Sequence, residues 1–122
     1  MKLQASALSR RHSFTAYGEG YVMVSGARHE ASVIVLPERI EPWQVADFAA
    51  LAEEHFAAIA ALGPELVLLG TGARLRFPHP RLTAPLARAR IGLEVMDLQA
   101  ACRTFNILAA EERNVAAALL FA

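Results

Sequence analysis

The stretch Gly92-Leu93-Glu94-Val95-Met96-Asp97-Leu98-Gln99-Ala100-Ala101-Cys102-Arg103-Thr104-Phe105-Asn106-Ile107-Leu108 decides the fold. It begins as an apolar strand, reaches Asp97, and turns at once into a helix. Leu98, Ala101, Phe105 and Leu108 recur at helical spacing on one face, while Gln99, Arg103 and Asn106 share another. Asp97 stands where a side-chain oxygen accepts from the free amides of the first turn, a cap worth about 1 kcal/mol. Upstream, Leu66-Val67-Leu68-Leu69 is apolar without alternation, the mark of a strand covered on both faces, and it ends in Gly70-Thr71-Gly72. A short helix is predicted from about Thr83 to Ala89, and a strand from Ile91 to Met96. Residues 66–96 then form a strand–helix–strand unit, which demands parallel strands and a right-handed crossover.

Working outward, Tyr17-Gly18-Glu19-Gly20 precedes a short strand, Tyr21 to Val24, and Ser25-Gly26 turns the chain into a second, about Glu30 to Leu36. The pair reads as an N-terminal β-hairpin. Pro37 and Pro42 bracket a loop that lacks the donors of a central ladder. A helix is expected from Val45 to Leu62, because Phe48, Ala52, Phe56, Ile59 and Leu62 share one face and Gly63-Pro64 stops it. Val115 to Phe121 reads as the last strand. Nothing divides residues 1–122, so the expectation is a single α/β domain with a parallel sheet core, helices and an added hairpin.

Composition sets limits on function. Twelve basic residues, eleven of them arginine, balance twelve acidic ones, so a general nucleic-acid binder is not expected. The longest apolar run, Val115 to Ala122, is far short of the roughly 20 residues of a membrane span, so no membrane insertion is expected. Cys102 is the lone cysteine, read as a buried thiol filling space, so neither a disulfide nor a cysteine-based zinc site forms within the chain. His12, His29, His55 and His79 are scattered without ligand spacing, and neither a metal nor a cofactor is expected.

The candidate site lies where the two predicted parallel strands end. Gly70, Thr71 and Gly72 offer either a tight turn or a nest of amides for an anion, though Ala73 to Pro78 separates them from any following helix. Arg74 and Arg76 alternate around Leu75, and Arg103 starts from the same sheet rim. They could hold a carboxylate or phosphate, or simply pair with Glu94 or Glu111. Asn106 could touch a ligand or satisfy the backbone of a neighbouring loop. Trp43, directly after Pro42 at the end of the proline-bounded loop, and Phe77 in Phe77-Pro78-His79-Pro80 suggest a partner-facing surface, with Trp43 alternatively plugging the end of the core. No complete catalytic set accompanies these residues.

The ordered set Glu65-Leu66-Val67-Leu68-Leu69-Gly70-Thr71-Gly72, Arg76-Phe77-Pro78, Ile91 to Asp97, Ala100 to Leu108 and Glu111-x-Arg113-x-Val115 to Leu119 resembles one family from about Tyr17 to Leu120. It is the small bacterial and archaeal domain family of unknown function related to the eukaryotic mitochondrial complex I assembly factor 3. The resemblance implies three layers around a central mixed, largely parallel sheet with an extra hairpin. It also implies no established enzymatic activity and a role exercised through protein contacts. Leu75 stands where close bacterial relatives tend to have Gln, Leu98 where they tend to have Thr, and Glu112 where a Gly is common. The expectation is a cytoplasmic, non-enzymatic interaction or assembly-factor-like module with a protein partner. The rival is a small-anion-binding protein or enzyme using Gly70 to Gly72 and Arg103, with Glu94 as a base. Lys2, Arg10 and Arg11, with no acid among the first eighteen residues, faintly resemble a mitochondrial presequence, the alternative location for a eukaryotic source.

Overall fold

The computed structural model describes residues 11–122; Lys2 and Arg10 of the presequence reading lie outside them. The first three strands, β1 (Phe14–Gly18), β2 (Tyr21–Val24) and β3 (Ala27–His29), form a small antiparallel sheet. β4 (Val33–Leu36) and β5 (Arg39–Pro42) then enter a second sheet. A 3-10 turn (Phe48–Ala50) and helix α1 (Glu53–Ala60) lead into β6 (Leu66–Thr71). Helix α2 (Ala84–Arg88), β7 (Gly92–Met96), helix α3 (Leu98–Ala110) and β8 (Val115–Leu120) complete the chain.

The central sheet has the order β5-β4-β8-β6-β7. β6 runs parallel to both β7 and β8, while β4 runs antiparallel to β8 and β5, so the sheet is evenly mixed rather than largely parallel. Successive residues of a strand face opposite ways, and here both faces are covered. Leu68, Ala117 and Leu119 pack with Leu98, Ala101, Phe105 and the small sheet. Val67, Leu69, Ala116, Ala118 and Leu120 pack with Phe56, Ile59 and Leu86. Three layers result, because continuous apolar strands have no face to give to water.

Three expectations are corrected. The second strand of the N-terminal hairpin is Ala27–His29, not Glu30 to Leu36: the two-residue Ser25-Gly26 turn (φ 49° and 86°) starts the pairing at once, with Val24 opposite Ala27, and the ladder ends at Val22 opposite His29. Val33 to Leu36, buried throughout, instead enters the central sheet. The Val45 to Leu62 helix is broken. Asp47 Oδ1 accepts from the Ala50 amide and His55 Nδ1 from the Ala52 amide, so two helix starts follow one another with Ala52 extended between them. Lastly, the Pro37 to Pro42 loop contains β5. Trp43 N donates to Ser32 O, so the donorless Pro42 faces outward on an edge strand.

The turn before β8 is a left-handed helix stop. Glu112 has φ 63°, its amide donates to Ala109 O, and the Arg113 amide reaches back to Leu108 O. A side chain in this conformation costs about 1 kcal/mol that glycine avoids. Glu112→Gly is therefore expected to stabilise the fold by roughly 1 kcal/mol in urea unfolding, with an unchanged m-value.

Candidate functional site

Because β6 and β7 are parallel, their carboxyl ends share one rim, and the Gly70–Gly72 bend meets the start of α3 there. The Leu98 amide donates to Gly72 O at 2.9 Å. A cleft of about 310 Å³ opens beside this contact, lined by Gly72, Ala73, Asp97, Gln99 and the Gly18–Gly20 turn. Glu19 of that turn and Asp97 both face it. Asp97 Oδ1 accepts from the Ala100 amide at 2.8 Å, so the helix start already holds a carboxylate. A second anion in the cleft would meet two like charges.

The bend itself is engaged internally. A Cβ at Gly70 would lie 2.8 Å from Leu119 Cδ2 and 3.1 Å from Ala101 Cβ, so its bareness is what lets α3 seat on β6. Gly72 has φ +84°, a turn conformation rare for other residues. Thr71 is fully buried. Its hydroxyl donates to Arg74 O at 2.6 Å and accepts from the Arg76 amide at 3.1 Å. Arg76 folds back, donating to Thr71 O at 2.8 Å, with its guanidinium carbon 4.6 Å from the centre of the Phe48 ring. These groups build a rigid turn, and they offer no support for the anion-binding alternative.

The remaining candidates are dispersed. Arg103 is exposed and donates to the Tyr17 hydroxyl at 3.4 Å; among the described residues it forms no ion pair with Glu94 or Glu111. That hydrogen bond raises the guanidinium pKa further. Glu94 is exposed on β7. Asn106 is committed to the backbone of β1, accepting from Phe14 N and donating to Phe14 O, each at 2.8 Å. Trp43 is corrected from a surface to a core residue. It is only 4% exposed, donates from its ring nitrogen to His55 O, and packs edge-on against Phe56. Arg74 is exposed, and Leu75 and Phe77 are 52% and 70% exposed. Tyr17 and Glu19 carry no sequence signal for the site; only proximity in the fold brings them to α3.

What emerges is a three-layer α/β domain whose sheet rim is closed by its own groups, with an apolar and cationic loop beside it. The profile described as "Protein of unknown function (DUF498/DUF598)" matches residues 14–120, and the chain belongs to that family. It is 34% identical over 122 residues to NADH dehydrogenase [ubiquinone] 1 alpha subcomplex assembly factor 3 of Danio rerio, covering 98% of this chain and 68% of that relative. It is 25% identical to the 13 kDa major membrane protein of Francisella tularensis subsp. holarctica, covering 98% and 99% of the two chains. The crystal structure of a Bordetella parapertussis protein superimposes with a TM-score of 0.85 at 39% identity, covering 90% of this chain and 95% of that one.

Two outcomes test the bonding of the rim and the packing of α3 behind it. Thr71→Val strands the Arg76 amide and the Arg74 carbonyl, and is expected to destabilise by roughly 2 kcal/mol in urea unfolding. Burial pushes the Cys102 thiol up to about 12 against the weaker opposing pull of Arg103, so the thiol stays neutral at ordinary pH. It is expected to react with a disulfide reagent at pH 8 at least roughly a hundredfold more slowly in the native protein than in guanidinium.

Proposed function

We propose that this chain is a non-enzymatic protein-binding module of the assembly-factor kind, and that the segment Arg74 to Arg81 is its principal contact. The observation that carries the reading is the paired exposure of Leu75 and Phe77 on a loop held rigid by Thr71 and Arg76. Pro78 and Pro80 stiffen the same segment. Between Glu65 and Glu94 the chain carries Arg74, Arg76, Arg81, Arg88 and Arg90 and no carboxylate. Apolar side chains on a rigid, cationic segment suit a protein interface. Little ordering entropy is lost on docking, and burying a Leu or Phe contributes about 2 kcal/mol.

Kinship supports the same reading, since assembly factors act through other proteins. The role is taken to be cytoplasmic, as expected from the sequence. Among the described residues no helix is long and apolar enough to cross a membrane.

The test compares tagged wild-type protein with the Leu75→Ser/Phe77→Ser variant in affinity capture from the source cells. The variant is expected to melt within a few degrees of wild type and to lose a defined partner set at least about tenfold. Identical partner sets at equal stability would remove this loop as the contact.

A further inference from the structure

The second surface concerns the edges of the sheets. An edge strand carries unpaired backbone donors and acceptors, and proteins ordinarily shorten, charge or cover such edges. This chain does so at three places. On β5, Pro42 supplies no donor on its outward side, and Arg39 and Glu41 form an ion pair. On β1, Asn106 occupies both backbone groups of Phe14. β3 is three residues long.

β7 is different. Gly92-Leu93-Glu94-Val95-Met96 ends the central sheet and holds no proline and no lysine or arginine. The Gly92 amide donates to Glu65 O, so alternation along a parallel ladder turns the groups of Gly92, Glu94 and Met96 towards β6. The amides and carbonyls of Leu93 and Val95 then point outward. No strand, turn or side chain among the described residues takes them. Leu93 and Val95 are only partly buried against the α1/α2 side of the core, whereas Glu94 is exposed on the other face.

We propose that the outer edge of β7 receives an extended segment of a partner protein as a sixth strand, with a basic residue opposite Glu94. The proposal rests on the protein-binding reading for its biological use, but it concerns a different surface. The hydrogen-bond complement is set by Leu93 and Val95, and the charge complement by Glu94. A second copy of this chain is disfavoured by register. The antiparallel two-fold pairing that uses both outward residues sets Leu93 against Val95. It therefore sets Glu94 directly against its own copy, where like charges destabilise.

The experiment uses the full chain, labelled with nitrogen-15, and two capped synthetic peptides of alternating valine and threonine. One peptide has a central lysine, the other a central glutamate. The lysine peptide is expected to shift the amide signals of Leu93 and Val95, slow their hydrogen exchange, and bind roughly tenfold tighter than the glutamate peptide. Val95→Pro removes an outward donor and no bond to β6, so it should abolish binding while the β6 amides stay protected. Glu94→Lys, an exposed substitution, should reverse the peptide preference and tests the proposal even if the proline variant unfolds.

Absence of shifts at β7, equal binding of both peptides, or binding retained in folded Val95→Pro would overturn the proposal. Leu75→Ser/Phe77→Ser should bind the lysine peptide like wild type. Partner capture that depends on the loop without peptide binding at β7 would thus sink this proposal alone, and the converse would sink the loop reading alone.

Discussion

The close approach of α3 to β6 at Gly70 is the contact on which the remaining arrangement depends. A Cβ there would sit 2.8 Å from Leu119 Cδ2 and 3.1 Å from Ala101 Cβ, both in the buried core, so a side chain would push its neighbours apart where the bare backbone lets the helix lie this near the sheet. From that seat the helix reaches in both directions. Its first amide closes onto Gly72, fixing the bend that ends β6. Further along, Phe105 meets Phe14 edge-on with ring centres 5.3 Å apart, while Asn106 grips the Phe14 backbone. The small sheet is therefore attached to the central one through α3, and a helix displaced outward would lose rim and small sheet together.

That dependence explains why the rim does not resemble a ligand site. Open α/β sheets leave a crevice beyond their carboxyl ends where a loop diverges from a helix start. Here the loop and the helix start bond to each other. Thr71, buried completely, joins three backbone segments, and Asp97 fills the helix terminus. Thr71, Arg76 and Asn106, which looked available in one dimension, are engaged in three.

Sequence patterning made legible those elements whose register is dictated by burial alone. β6 and β8 are apolar without alternation because both faces are covered, and the α3 stripe follows from packing on one side. The destination of Val33 to Leu36 was not legible, because a short apolar run carries no record of which sheet it joins. The break at Ala52 was hidden too, since His55 as an acceptor at a helix start has no distinctive spacing. For Trp43 and Asn106 the sequence carried both readings, surface or core plug and ligand contact or backbone support, but not the partner that decides between them. Each is chemically suited to a surface role, and each is used inside by a partner far away in sequence, His55 in one case and Phe14 in the other.

The residues without internal employment then become informative. The chain has zero net charge, yet the span from Leu66 to Leu93 is wholly cationic, so the excess of carboxylates lies elsewhere. Segregation of this kind adds self-repulsion among the arginines. Arg88 relieves part of it by pairing with Glu53, and Arg76 by turning back onto Thr71 and Phe48. Arg74 is left in solvent beside Leu75 and Phe77. Folding alone draws no benefit from two large apolar side chains held in water, since their hydrophobic contribution comes only on burial. A second protein would supply that burial, and carboxylates on its surface would draw favourable energy from the same arginines that repel one another in the free chain.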